Sequence, residues 1–192
     1  MKNMNILIVG VGGQGTLLAS KFLGAAAVSC GKDVKVSEVH GMSQRGGSVV
    51  TCVKIGDNVY SPIIDEGEAD IIIAFEQLEA ARWLNYLKKG GTIIVNTQKI
   101  NPMPVISGKV QYPENTIQYL QSSGAKIIEI DALSLAKESG SEKAVNIILL
   151  GVMAAGLPEI TPETWKDCLK AVVPVKFLDI NMKAFNIGYG RG

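Results

Sequence analysis

Histidine occurs once in this chain of 192 residues and cysteine three times. The sequence therefore holds no Ser-His-Asp order and no metal-spaced group of His or Asp. Cys30, Cys52 and Cys168 match no zinc, CxxC or ferredoxin spacing. If the protein takes part in electron transfer, it is expected to carry no iron–sulfur cluster of its own. An odd number of scattered thiols fits a reducing compartment, so the cytoplasm is expected. Net charge is +1, and no basic cluster is longer than the stretch LKKG, which excludes a nucleic-acid groove. The longest apolar run, Ile147 to Leu157, is too short to span a bilayer and reads as a buried helix. No secretory signal is read at the N-terminus, because MKNMNILIVGVGG passes directly into a strand and a glycine loop. Charged residues are only 19% of the chain, below the roughly 25% of an average globular protein. With a mean hydropathy of +0.22, this leaves two readings. One is an α/β core rich in Val, Ile and Ala. The other is a surface partly covered by another subunit.

What is present is an alternation of apolar runs and amphipathic stretches. Met4 to Val9 is continuously apolar, as in a central parallel strand buried on both faces. Gln14 to Cys30 reads as a helix with Ala19, Leu23, Ala26 and Cys30 on one stripe, closed by Gly31. DVKVSEV follows as strand two, which predicts a right-handed βαβ unit. SVVTCVKIG and NVYSPII flank Gly56-Asp57-Asn58 and predict a β-hairpin, with Ser61-Pro62 at its exit. ADIIIAF is a further buried strand, and EQLEAARWLNYLKK an amphipathic helix stopped by Gly90-Gly91. TIIVN is a strand, the proline-rich stretch 100–115 irregular, TIQYLQSSG a short helix and AKIIEID a strand. Helices are expected over 132–137, 143–155, 162–172 and 177–188. The fold class predicted is a single three-layer, Rossmann-like α/β domain over 1–192. Its sheet is mostly parallel but mixed, with the β-hairpin after the second strand.

Two loops carry the functional signal. Gly10, Gly12, Gly13, Gln14 and Gly15 follow a strand and precede a helix, the context a GxGxxG phosphate loop requires. Residues without Cβ let the backbone turn tightly and let a phosphate reach the N–H groups of the helix N-terminus. The structural alternative is that these glycines only permit close strand–helix packing. Glu38 lies 23 residues past Gly15, where a dinucleotide fold places its ribose-binding acid. The second loop contains His40, Ser43, Gln44, Arg45, Gly46 and Gly47. It should lie at the carboxyl edge of the sheet, where open α/β sheets bind ligands. Arg45 can grip a phosphate or carboxylate with two parallel bonds. The competing reading is a loop docked on a partner chain.

The stretches GVGGQGTLLAS, SEVHGMSQRGGSVV, YSPII, GEADIIIAFEQLEAAR, GGTIIVNT and the ending AFNIGYG resemble the beta subunits of indolepyruvate ferredoxin oxidoreductases. More broadly they resemble the gamma subunit or domain of the 2-oxoacid:ferredoxin oxidoreductases. The resemblance covers nearly the whole chain, and EVHGMSQRGG followed by SPII points to the indolepyruvate branch. It implies a Rossmann-like small subunit of an enzyme that oxidatively decarboxylates a 2-oxoacid. Coenzyme A takes the acyl group, and two electrons leave to ferredoxin. It further implies that thiamine diphosphate and the iron–sulfur clusters belong to a large alpha subunit, through which ferredoxin is met. Coenzyme A is then expected near the subunit interface, at the crevice of the two loops. That assignment follows from phosphate chemistry.

Other residues have plainer readings. Glu79 and Arg82 are spaced to pair on a helix surface. Glu76 and Asn96 end strands and either face the crevice or stabilise it. Asn146 is the one polar residue opening an apolar helix, a hydrogen-bonder expected at a subunit contact. The run around Ile147 to Leu157 is also a surface on which a homodimer could form. Three functional readings stay open: an accessory oxidoreductase subunit inactive alone, a stand-alone NAD-dependent dehydrogenase using Glu38, and an assembly module with a vestigial glycine loop. Within the first, pyruvate, 2-oxoglutarate or a branched-chain 2-oxoacid remains an alternative substrate.

Overall fold

The computed structural model describes residues 1–40 and 47–192 and, at His40, the backbone alone. Six strands form one sheet: β1 (Met4–Val11), β2 (Asp33–His40), β3 (Ser48–Gly56), β4 (Ala69–Ala74), β5 (Leu87–Asn96) and β6 (Lys126–Ile130). Their spatial order is β2-β3-β1-β4-β5-β6. β3 runs antiparallel to both neighbours, while β1, β4, β5 and β6 pair in parallel. The predicted mostly parallel, mixed α/β sheet is therefore observed. β1 is central because it is apolar on both sides. Ile6 and Ile8 pack into one core and Leu7 and Val9 into the other. Each such side chain contributes about 1.5–3 kcal/mol by leaving water.

Helices cover the two faces unequally. On the first face lie α1 (Thr16–Ser29), α5 (Ala132–Ser139), α6 (Val145–Ala155), α7 (Pro162–Val172) and α8 (Leu178–Tyr189). Phe22, Trp165 and Phe185 pack together at the centre of that layer. The opposite face carries α2 (Gln77–Arg82) and α4 (Thr116–Gln121), packed over Leu7, Ile72, Ile93 and Val95. A one-turn helix, α3 (Met103–Ile106), interrupts the proline-rich stretch expected to be irregular.

Two expectations are corrected. The hairpin does not form around Asp57, because 58–64 is not a strand. Both edges of β3 are already hydrogen-bonded, to β1 and to β2, so no ladder is left for a returning arm. The antiparallel neighbour that follows strand two is β3 itself. β1 and β2, both antiparallel to β3, run parallel to each other and are joined by α1 as the expected βαβ unit, with β3 inserted between them. Finally, the helix expected over 76–89 ends at Arg82, and a 3-10 turn at Leu84–Tyr86 leads into β5. The ladder pairs Ala69 with Leu87 and then Ile71 with Thr92, so the residues between bulge out of β5. Gly90, at φ +75°, serves that bulge and not a helix stop.

The apolar helix α6 is buried from Val145 to Ala154 by its own chain, against α5, α8 and β5. It is not the exposed contact surface that its composition led one to expect.

Candidate functional site

Parallel strands end at a common edge, and the turns that follow β1, β4, β5 and β6 gather there. The turn after β1 contains two left-handed residues, Gly13 at φ +91° and Gly15 at φ +86°. That conformation strains any residue with a Cβ. At Gly15 a Cβ would also overlap the Asn146 side-chain amide. Asn146 explains the closeness: its Nδ2 donates to the Gly15 carbonyl at 3.3 Å, and its Oδ1 accepts the Ile147 N–H at 2.9 Å. It braces α6 against the glycine loop, the hydrogen-bonding role expected of it.

Gln14 is a second brace. Its Oε1 accepts the Val11 N–H at 2.7 Å, and its Nε2 donates to the Phe75 carbonyl at 3.1 Å. Both ends of the amide are thus committed to backbone, tying β1 to the end of β4. What the loop leaves for a ligand is main-chain N–H. Among the described residues nothing accepts from the N–H groups of Gly13 and Gly15.

The two loops singled out in the sequence meet at their bases, where the Gly12 N–H donates to the Gly47 carbonyl at 3.0 Å. His40 ends β2 opposite Val49. Ser43, Gln44, Arg45 and Gly46 lie outside the described residues.

Glu38 rides on a strand one place farther from β1 than the acid of a dinucleotide fold. The ribose-binding acid of that fold rides on the strand beside β1. Here β3 intervenes, which moves β2 to roughly 10 Å from β1. Glu38 also accepts the Thr16 hydroxyl at 2.8 Å. The strand order thus departs from the one the dehydrogenase reading requires, while the bond to Thr16 keeps Glu38 next to the glycine loop.

A cleft of about 490 Å³ opens on the glycine loop, within the usual span of small-molecule sites. Gln98 and Ile100, just after β5, form one wall, and Leu133, Lys143 and Val145 form the other. Lys143 makes no ion pair among the described residues. A smaller, more apolar hollow of about 280 Å³ adjoins it at Lys143 and Asn146, between Leu18, Phe177 and Ile180. Lys143 and Gln98 were missed in the sequence. The only available signal was a cation immediately ahead of the apolar α6.

Asn96 and Glu76 are structural. Asn96 donates to the Phe75 carbonyl at 3.1 Å and accepts the Ala132 N–H at 3.2 Å, linking three strand ends. Glu76 caps α2 by accepting the Glu79 N–H at 3.0 Å. Glu79 and Arg82 do pair, at 3.2 Å, but Glu79 is only 4% exposed and not on the surface. Burial pushes the Glu79 carboxyl above its ordinary 4.5, against the opposing pull of the Ser48 hydroxyl and Arg82. The native state then holds this proton to higher pH than the unfolded chain does. Stability should therefore fall as pH rises from about 4.5 to the raised native value, and level off above it. Urea titrations between pH 4 and 7 should show that slope, and Glu79→Gln should flatten it.

Among the described residues, no group of three or more His, Cys, Asp or Glu is placed to hold a metal ion. Nor is any helix there long and apolar enough to cross a membrane. The sequence pattern of the pyruvate ferredoxin/flavodoxin oxidoreductase family matches residues 5–191. The chain belongs to that family.

Two relatives are named indolepyruvate oxidoreductase subunit IorB. That of Thermococcus kodakarensis is 43% identical over 98% of this chain and 95% of its own length. That of Pyrococcus horikoshii is 44% identical with the same coverage. Among solved structures, the gamma subunit of a keto/oxoacid ferredoxin oxidoreductase from Geobacter sulfurreducens superposes with a TM-score of 0.73. It is 26% identical and covers 98% of this chain and 97% of its own. A 2-oxoglutarate:ferredoxin oxidoreductase chain from Magnetococcus marinus shares the fold at a TM-score of 0.73 and 22% identity. It matches 99% of this chain but only 31% of its own length. The family expected from the motifs is thereby borne out. In these oxidoreductases one fold serves both as a separate small subunit and as one part of a longer chain.

Proposed function

We propose that this chain is the small, beta-type subunit of an indolepyruvate:ferredoxin oxidoreductase. The observation carrying this is 43–44% identity, end to end, with relatives bearing that name. The enzyme would convert an aryl 2-oxoacid and coenzyme A to aryl-acyl-coenzyme A and carbon dioxide, passing two electrons to ferredoxin. Thiamine diphosphate and the iron–sulfur clusters would reside in a large alpha subunit. The residues of this chain suit that division: the glycine loop leaves the Gly13 and Gly15 N–H groups available among the described residues, and its three cysteines match no cluster spacing. Ferredoxin would be met through the large subunit, and the complex would be cytoplasmic. Two copies of the small subunit would form a homodimer within it.

In this reading the chain contributes a seat for coenzyme A beside the partner's active centre. The N–H groups of Gly13 and Gly15 point a helix N-terminus at phosphate. Gly10 and Gly12 let the backbone approach, and Gln14 holds the loop in shape. Lys143 supplies charge from the opposite wall. The hollow between Leu18 and Phe177 suits a flat ring such as adenine. From their residue types alone, His40, Ser43, Gln44, Arg45, Gly46 and Gly47 of the second loop would complete the site, Arg45 offering a forked phosphate grip.

Arg45 is the residue that tests it. A charge-assisted contact to phosphate contributes about 1.5–3 kcal/mol. Arg45→Ala should therefore raise the apparent KM for coenzyme A in the reconstituted complex by about 10- to 100-fold. Arg45→Lys should recover only part, because an ammonium lacks the fork. Both variants should still co-purify with the large subunit. A complex that falls apart while residual enzyme keeps its normal coenzyme A dependence would make the loop a docking element instead.

A further inference from the structure

The first turn of α2 holds two buried carboxylates, Glu76 at 1% and Glu79 at 4% exposure. Burying carboxylates is costly unless each oxygen finds donors. A helix cap needs one such bond, and Ser, Asp or Asn supplies it more cheaply. What the longer Glu76 adds is reach. Its second oxygen, Oε1, accepts the Ile100 N–H at 3.2 Å and the Tyr112 hydroxyl. The neighbouring Gln77 donates through Nε2 to the Thr97 carbonyl at 2.7 Å. One helical turn therefore grips the segment 97–112 at Thr97, Ile100 and Tyr112. Apart from α3, that segment has no regular structure to hold it. It carries Gln98 and Ile100, one wall of the cleft.

The same turn reaches the other loop. Glu79 accepts the hydroxyl of Ser48, the residue after Gly47, whose carbonyl fastens Gly12. The wall 97–112 and the base of the glycine loop thus hang from adjacent carboxylates on one rigid element.

We infer that Glu76 is a positioning residue: through Ile100 and Tyr112 it fixes the distance between the 97–112 wall and the glycine loop, and so sets the width of the cleft for its ligand. This rests on the reading that the cleft seats coenzyme A, and it adds the residues that shape the seat without touching the ligand. Lys99, whose ammonium lies 5.5 Å from the Tyr112 ring centre, is carried by the same clasp.

The experiment compares Tyr112→Phe, Glu76→Gln and their double variant, each in the full chain. Amide hydrogen exchange is read on the free subunit and steady-state kinetics on the reconstituted complex. Tyr112→Phe removes one hydroxyl and leaves the ring, so folding is preserved. Peptides within 97–112 should exchange about 5- to 20-fold faster, with those from β1 and β4 unchanged. The apparent KM for coenzyme A should rise about 3- to 10-fold at constant kcat. The double variant should exceed Glu76→Gln alone by little, since the hydroxyl acts only through that carboxylate. Unchanged exchange in 97–112 would overturn the inference. So would faster exchange with an unchanged KM, provided Arg45→Ala raises that KM in the same assay. If Arg45→Ala leaves KM unchanged too, the coenzyme A reading itself is at fault. The exchange pattern then decides by itself whether Glu76 holds the wall.

Discussion

Gly188→Ala should destabilise the helical layer, although helix propensity alone predicts the reverse. Alanine in a helix interior is favoured over glycine by about 1 kcal/mol. Gly188 lies in α8, where an added Cβ would overlap the carbonyl oxygen of Ile148 and sit 2.9 Å from its carbonyl carbon. Facing it on α6, a Cβ at Gly151 would lie 2.5 Å from the Phe185 carbonyl oxygen and 2.7 Å from the Tyr189 nitrogen. These neighbours are backbone and have no rotamer into which to retreat, so the two helices must separate. Their separation would also loosen the packing of Phe185 on Phe22. Overpacking of this kind costs about 1–3 kcal/mol and occasionally more. With backbone on both sides we expect about 3 kcal/mol, a fall in Tm of about 6–12 °C for a chain of this size. Gly24→Ala is the control. It lies within α1 with nothing within 4 Å of the added Cβ, and should gain up to about 1 kcal/mol. Thermal melts of the three proteins decide the matter. A Gly188→Ala variant as stable as Gly24→Ala would show that α6 and α8 do not pack backbone to backbone.

Trp165→Ala should be at least as damaging. Trp165 is fully buried in α7, with its ring stacked 5.3 Å from that of Phe22 on α1. Truncation leaves a cavity between the two helices, at a cost of about 3–5 kcal/mol and a drop in Tm of about 6–20 °C. Among the described residues the indole Nε1 finds no hydrogen-bond partner, so part of what the tryptophan gains by burial is offset by an unpaired donor. Trp165→Phe should therefore lose far less than Trp165→Ala, since it keeps the stack and removes the orphan N–H. Urea midpoints for both variants would test this. Losses of equal size would mean that the indole and not the ring stack matters.

The two kinds of prediction are separated by what each measures. Gly188 and Trp165 act on the layer behind the sheet. The Arg45, Glu76 and Tyr112 variants act at the carboxyl edge and should change ligand dependence with little change in Tm.

Much of the chain was legible in advance because its signals are local. The two-sided apolar run of β1, the stripe of α1 and the span of α7 over 162–172 follow from local pattern, which neighbouring residues settle among themselves. The glycine loop was equally plain: strand, glycines and helix are contiguous, and Gly13 and Gly15 do take the left-handed conformation. The family could be read from contiguous motifs for the same reason. Pairing could not be read in this way. Whether Val34 and Ile55 face each other depends on which strand takes the second edge of β3, a competition between segments far apart in sequence. Insertion of β3 between β1 and β2 removed the hairpin expected at Asp57 and changed the strand order from that of a dinucleotide fold. The end of α2 at Arg82 was likewise imposed from outside, by the pairing of Leu87 with Ala69. The polar residues show the division most clearly. Sequence could place Gln14, Glu76 and Asn96 at the edge where ligands bind, and Asn146 as a hydrogen-bonder at the start of an apolar helix. Only the tertiary structure assigned their amides and carboxylates to backbone groups, Gln14 and Asn96 both to the carbonyl of Phe75 and Asn146 to Gly15. A hydrogen-bond partner 61 or 131 positions away leaves no periodic trace in the chain, whereas a turn, a cap or an apolar stripe does.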